Sequence, residues 1–321
     1  MPGRARRSGT RVIPVIKCHK EAITVEAISL TGRTAVITGA ASGLGFAYAR
    51  MLGQRGAQVV VNDINGAAEA VALLVADGIE ATASTADVSQ PAGARSLIET
   101  ARQAYNSVDI LVNNAAIGRY TPLSQTTVEE WELVRSVSLD AGFYVTREAW
   151  PLMTAQGYGR VILTTSGIGL VGEAGNVSYA AAKAGVYGLM RTLALEGEPL
   201  GIKVNCIAPI ASTPMSRKHV TEEIAAMMEV GYPVDLVAPA VVVLASEQCP
   251  VAGKVLDVAG GRVGSFFVGV VTGYYDRELT PESILESWPL PVDRDEYSVF
   301  DTSMTYMGVV MEEAKAKGAK N

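Results

Sequence analysis

Histidine is almost missing from this chain: His19 and His219 are the two in 321 residues. That scarcity excludes a histidine catalytic relay and a histidine metal centre, so proton transfer must use other groups. Cys18, Cys206 and Cys249 lie far apart, with neither a CxxC pair nor metal-type spacing. No metal site is expected, and so sparse and odd a set fits a reducing compartment. Apolar runs of the roughly 18–20 residues that span a membrane are also missing. The longest, 236–245 and 266–275, read as a buried helix and an apolar tail segment, so no membrane partner is expected. There is no basic excess either: 27 Lys and Arg against 33 Asp and Glu give a charge of −6. Nucleic acid is therefore not expected as a partner.

Residues 1–29 carry Arg4, Arg6, Arg7 and Arg11, with no acid before Glu21. They read as a flexible basic arm, with a transit peptide as the alternative. They lack the apolar stretch of a secretory signal, and the final Ala319-Lys320-Asn321 is not a peroxisomal address. A cytoplasmic location is the expectation.

From Thr31 the pattern becomes regular. Short β-branched runs at 35–38, 58–62, 108–113, 161–165, 203–207 and 254–258 alternate with helical stretches such as 43–54, 67–76 and 178–196. Apolar strands separated by helices predict an α/β fold, a doubly wound parallel sheet of the Rossmann type. Such a sheet binds ligands beyond the carboxyl ends of its strands. The predicted organisation is one dinucleotide-binding catalytic domain over 30–264, with a C-terminal extension over 265–321. In the extension, Thr280-Pro281-Glu282 has the form of a helix start. A further helix is predicted over 301–315, whose Met304, Met307 and Met311 form a stripe read as packing.

Thr38-Gly39-Ala40-Ala41-Ser42-Gly43-Leu44-Gly45 follows the first strand and opens the first helix. Glycines let the chain turn tightly and bring backbone N–H groups to a pyrophosphate, which the helix N-terminus then faces. Gly39, Ser42, Gly43, Leu44 and Gly45 are the expected phosphate-side contacts. Asp63 ends the second strand, where a carboxylate accepts hydrogen bonds from ribose hydroxyls and repels a 2′-phosphate. The residue before Gly43 is a serine and not a phosphate-binding arginine, so NAD is the expected cofactor.

Tyr179 and Lys183 stand one helical turn apart in Tyr179-Ala180-Ala181-Ala182-Lys183. A phenol near pKa 10 is too weak an acid for neutral pH, and a nearby ammonium is expected to draw it down for general catalysis. Ser166, just beyond the strand at 161–165, is placed to hold a substrate oxygen.

With these motifs in this order, the chain resembles the short-chain dehydrogenase/reductase family, compact single-domain branch, over roughly residues 30–262. Asp87-Val88, Asn113-Asn114-Ala115 and 205–209 share in the resemblance. It implies a seven-stranded sheet in the order 3-2-1-4-5-6-7 and a homo-oligomer, dimer or tetramer, assembled through the Tyr179 helix and its predecessor. It places Asp87 and Val88 at the adenine, and Asn114, Ala115 and Ala116 along the cofactor. Pro209 and Thr213 would lie at the nicotinamide carboxamide, and Lys183 at the nicotinamide ribose. Ala116 and Ile210 stand where the family has glycines. Ser138 stands where it has a fourth catalytic residue, Asn, whose backbone carbonyl holds a relay water.

A shortened 209–215 segment, Val61-Asn62-Asp63, the non-Asn residue at 138, and the runs 145–150, 232–244 and 260–264 narrow the resemblance. They are similar to the (3R)-hydroxyacyl-CoA dehydrogenase domain of peroxisomal multifunctional enzymes. This implies oxidation of a 3-hydroxyacyl thioester with NAD, with Arg119, Arg217 and Lys218 as candidates near the CoA phosphates. Two alternatives stay open. One is an alcohol dehydrogenase or ketone reductase for a steroid, terpenoid or other small hydrophobic ketone. The other is a non-catalytic dinucleotide sensor, against which stands the complete set Ser166, Tyr179 and Lys183.

Overall fold

Val, Ile and Thr carry two heavy atoms on Cβ and sit best on a pleated backbone. Runs of them form the centre of this molecule, seen in a computed structural model that describes residues 26–218, 220–271, 273–288, 290 and 297–318. Most of the basic arm, with Cys18 and His19, and His219 lie outside the described residues.

Seven strands pair in parallel: Thr34–Thr38 (β1), Gln58–Asn62 (β2), Ala81–Ser84 (β3), Ile110–Asn113 (β4), Gly159–Thr164 (β5), Ile202–Ile210 (β6) and Val255–Ala259 (β7). Their order is β3-β2-β1-β4-β5-β6-β7, as the sequence predicts. β1, β4 and β5 are buried at every position, the mark of a sheet covered on both faces.

An eighth strand corrects the expected seven. Arg262–Phe266 (β8) runs antiparallel to β7, with Ala259 opposite Arg262. The two residues between them, Gly260 and Gly261, have φ of 52° and 83°. Left-handed backbone at both positions of a two-residue loop makes the tight hairpin that matches strand twist. The boundary drawn at residue 264 falls inside this strand.

Successive side chains of a strand point to opposite faces, and β1 shows it: Ile37 enters one buried cluster and Val36 the other. On the first face lie Gly43–Gln54 (α1), Ala67–Ala76 (α2) and, further along the chain, Ala238–Ala245. On the second lie Pro91–Tyr105 (α3), Ala141–Gln156 and Val177–Gly197. In chain order the helices after α3 are Val128–Arg135 (α4), Ala141–Gln156 (α5), Gly167–Val171 (α6), Val177–Gly197 (α7), Pro214–Arg217 (α8), Glu222–Gly231 (α9), Ala238–Ala245 (α10), Pro281–Glu286 (α11) and Ser303–Gly318 (α12). A π-helical turn, Ser136–Asp140, joins α4 to α5. Among the described residues no single helix is long and apolar enough to cross a membrane; a bent pair over α9 and α10 comes nearest, and most of α10 is buried.

The extension is tied to the body at a few points. Val270 bridges Ser298, Arg191 of α7 donates to the carbonyls of Phe300 (3.4 Å) and Asp301 (2.5 Å), and Lys254 Nζ reaches Asp301 at 3.4 Å. Thr280 caps α11 reciprocally with Ser283, as Thr-Pro-Glu implies. The methionine stripe departs from its packing role: Met304, Met307 and Met311 are 73%, 50% and 57% exposed. Anchors at the start of α12, rather than a buried face along it, hold this helix.

The opposite rim of the sheet, where strands begin, is a polar staple. Asp109, 4% exposed, accepts from Thr34 N (3.0 Å), Ser107 Oγ (2.9 Å) and Arg33 Nη1 (2.9 Å). Asp109→Ala strands these donors and is expected to lower stability by about 2–4 kcal/mol in urea unfolding. Dinucleotide affinity, measured by fluorescence titration, should stay unchanged; a loss would show that the two rims are not independent.

Candidate active site

Parallel pairing brings the carboxyl ends of β1–β7 to one rim, and the residues singled out above gather there. Gly39, Ser42, Gly43, Leu44 and Gly45 follow or open from β1; Asp63 follows β2; Asp87 and Val88 follow β3. Asn114, Ala115 and Ala116 follow β4, Ser166 follows β5, and Pro209 and Thr213 lie at and beyond the end of β6.

The glycine turn is held from below. Thr38 Oγ1 accepts from the backbone N–H groups of Asn114 and Ala115, each at 3.0 Å. Asn114 Nδ2 returns bonds to the carbonyls of Thr38 (3.1 Å) and Gly39 (3.0 Å). Gly45 is packed so closely that a Cβ there would strike the Gly39 carbonyl and lie 2.8 Å from Ala40 Cα. Asp63 Oδ2 accepts from Ala41 N at 3.2 Å, which pins the carboxylate beside the turn. Asn62 Nδ2 bonds the carbonyls of Ser84 (3.2 Å) and Ala86 (2.9 Å), setting the path of the chain into Asp87.

These features fit a dinucleotide. Ser42 starts α1 without a side-chain cap bond, so the leading N–H groups of the helix present partial positive charge to a phosphate. The buried hydroxyls of Thr164 and Ser212 meet no protein partner, and both lie at strand ends where a cofactor edge can use them. Among the described residues no cluster of His, Cys, Asp or Glu is arranged to hold a metal ion.

Tyr179 and Lys183 stand on α7 facing the end of β5. The Tyr179 phenol lies beside Ser166, whose Oγ accepts from Ile168 N at 3.2 Å as the cap of α6. Lys183 is 1% exposed; its Nζ donates to the Thr164 carbonyl at 2.6 Å and lies 5.8 Å from the centre of the Tyr179 ring. Thr165 Oγ1 bonds the Lys183 carbonyl at 2.7 Å, locking helix to strand. Burial pushes the Lys183 ammonium down to about 8, and the Cys206 thiol beneath it acts the other way.

The sequence expectation that the ammonium draws the phenol down is not met here. The Tyr179 pKa is raised: burial dominates, the Ser166 bond lowers it, and Tyr120 adds to the rise. The reason lies in geometry, since Lys183 spends its short hydrogen bond on Thr164 and stands off from the ring.

Ser138 lies in the π turn, 4% exposed. Its Oγ accepts from Ile117 N and donates to Ile117 O, both at 3.0 Å. It thus clasps the loop after β4, a tie that spacing alone does not reveal. That loop carries Gly118, where a Cβ would lie 3.9 Å from Tyr179 Cδ2 and 3.8 Å from Met215 Sδ. Gly118 and Met215 therefore wall the space beside the phenol. Arg119, Arg217 and Lys218 are exposed. On the other side, Phe266 Cζ of β8 lies 3.7 Å from where a Gly167 side chain would begin. Thr164, Thr165 and Phe266 carry no sequence motif, because their roles run through backbone carbonyls and contacts between distant segments.

Lys183 yields a stability test. Below about 8 the amine is charged in both folded and unfolded chains, and the folded chain bears the desolvation cost. Between about 8 and the ordinary 10.5 the folded chain has released a proton that the unfolded chain keeps, so stability rises with pH. Lys183→Met should therefore melt several degrees above the unmodified protein at pH 7, the gap closing toward pH 10.5. A lower melting temperature at pH 7, by circular dichroism, would contradict a costly buried charge.

Residues 33–224 match the family model for short chain dehydrogenase. Among curated proteins, a putative short-chain type dehydrogenase/reductase of Mycobacterium tuberculosis is 40% identical over 242 residues, 72% of this chain and 83% of that protein. Peroxisomal multifunctional enzyme type 2 of Mus musculus is 34% identical over 296 residues, 88% of this chain but 39% of that protein. The structure of full-length peroxisomal multifunctional enzyme type 2 from Drosophila melanogaster superposes with a TM-score of 0.78 at 31% identity, covering 90% of this chain and 50% of that one. This chain thus spans half or less of the length of those two multifunctional enzymes. With the glycine turn, the parallel sheet and the Ser166–Tyr179–Lys183 set in one rim, the chain belongs to the short-chain dehydrogenase/reductase family.

Proposed function

We propose that this protein interconverts a secondary alcohol and a ketone with NAD, and that its substrate is a 3-hydroxyacyl thioester of the CoA type. The observation that carries the reaction class is the placement of the Tyr179 phenol beside Ser166, with a buried ammonium one helical turn away. Bound on the strand-end rim, a nicotinamide ring supplies hydride acceptance and donation. The residues do the rest. Ser166 Oγ donates a hydrogen bond to the substrate oxygen; in oxidation the Tyr179 phenolate takes the hydroxyl proton, and in reduction the phenol returns one to the carbonyl oxygen. Lys183 keeps positive charge behind the phenol, and loosening its bond to Thr164 would bring that charge to bear on it. General catalysis of this kind contributes about 10²–10⁴-fold. Tyr179→Phe should keep dinucleotide affinity and lose about that factor in turnover; a near-normal rate would remove Tyr179 from the reaction.

Asp63 supports NAD. Pinned beside the glycine turn by Ala41 N, its carboxylate suits neutral ribose hydroxyls and repels a 2′-phosphate. The substrate reading is supported by the similarity to the type 2 peroxisomal multifunctional enzymes. Self-association is part of the same reading, since Trp131, Phe143 and Leu195 stay 37%, 46% and 46% exposed on α4, α5 and α7. The deciding measurement is cofactor reduction with NAD and NADP, each against 3-hydroxyacyl-CoA chains and free secondary alcohols. Turnover is expected with NAD and the thioesters. Turnover of free alcohols alone would favour a ketone or steroid reductase, a preference for NADP would overturn the role given to Asp63, and binding without turnover would point to a sensor.

A further inference from the structure

Asn176 stands immediately before α7, one turn ahead of Tyr179. Asparagine is among the best N-caps, yet its side chain makes no cap bond here. It is 1% exposed, and neither Nδ2 nor Oδ1 meets a protein partner. Burying such a group unpaired costs about 1–3 kcal/mol, so a cap turned inward needs a reason.

The neighbours supply one. Thr121 forms a parallel bridge with Asn176, and its N–H donates to Gly175 O at 2.7 Å. Bridge partners direct their side chains to the same face, so the Thr121 and Asn176 side chains are adjacent. Thr121 Oγ1 in turn donates to Glu130 Oε2 of α4 at 3.1 Å, while Glu130 Oε1 is buried without a protein partner. One donor and two acceptors, each sealed from solvent, are thus linked through Thr121. A buried water typically makes about three hydrogen bonds to such groups.

We propose that Asn176 is a positioning residue: with Glu130 it holds one buried water that locks the loop at 117–121 to the start of the catalytic helix. The loop is already clasped at its other end by Ser138 through Ile117. Between the two clasps lie Gly118, against the Tyr179 ring, and Tyr120, which faces the Tyr179 phenol. The lock therefore fixes both the helix that carries Tyr179 and the loop that walls it, and keeps the phenol within reach of Ser166. The ionisable groups facing that phenol are Lys183 from its own helix and Tyr120 from the loop; Ser166 faces it from the turn after β5, and Cys206 of β6 faces Lys183.

This inference rests on Tyr179 being the proton-transfer group. Asn176→Leu removes both polar atoms at similar volume. It should lower kcat about tenfold through misplacement of the phenol, leave KM for the dinucleotide unchanged, and move the acid limb of the kcat profile to higher pH. Loss of the Ser166 bond, which lowers the phenol's pKa, would produce that movement. Asn176→Gln should restore the profile. Glu130→Met should resemble Asn176→Leu, and the double variant should be no worse than the worse single one, because both hold the same water. An unshifted profile in Asn176→Leu, even with a lower melting temperature, or single effects that multiply in the double variant, would overturn the proposal. Absorbance titration of the phenol reads the same shift without turnover, taken as the difference between each holoenzyme and its own Tyr179→Phe counterpart. An inactive unmodified protein with a shifted titration would thus sink the hydride-transfer reading and spare this one.

Discussion

An ammonium sealed from water is the constraint on which the rim depends. Among the described residues no carboxylate pairs with Lys183, which leans on a backbone carbonyl at the end of β5, with a neutral thiol beneath it whose own ionisation burial opposes. An unbalanced buried cation is costly, and the surrounding fold supplies the rigidity to keep it there. Two hydrogen bonds in opposite senses, Lys183 Nζ to Thr164 O and Thr165 Oγ1 to Lys183 O, fasten α7 to β5 at this one residue. Removing water from the site strengthens every electrostatic interaction inside it, so the cation that costs stability also acts at short range with little screening.

The two rims divide the labour. Where strands begin, charge is neutralised locally: Asp109 collects three donors, and Tyr158 lies between the guanidinium groups of Arg33 (3.7 Å) and Arg160 (4.2 Å). Where strands end, polar groups are left facing outward or unpaired, as with Thr164, Ser212 and the start of α1. One rim is satisfied within the protein; the other is built to be completed by a ligand. This asymmetry follows from parallel strands, which place all their outgoing turns on the same side.

Much of this was legible in the residue order. The gathering of the glycine turn, Asp63, Ser166, Tyr179 and Lys183 on one rim could be read because parallel strands separated by helices place the residues after each strand on the same side. β3 was harder to place, since Ala-Thr-Ala-Ser lacks the branched aliphatic side chains of its neighbours and is recruited by pairing with β2. β8 hid behind Gly260-Gly261, which marks a hairpin but reads equally as a tail. The direction of the Tyr179 shift depends on how burial compares with charge, and no spacing carries that balance. Asn176 reads from sequence as an ordinary cap, and its inward turn is visible only in three dimensions.

The contact between Phe266 and Gly167 has a consequence for how such chains diverge. Ser166 is displayed by a turn whose next residue has no side chain, and the aromatic ring resting there comes from the strand that leads into the extension. A methyl at 167 would touch that ring, and a longer side chain directed the same way would push on it. A tail grafted onto this sheet would therefore have to bring, at 266, a side chain that fits the turn at 167.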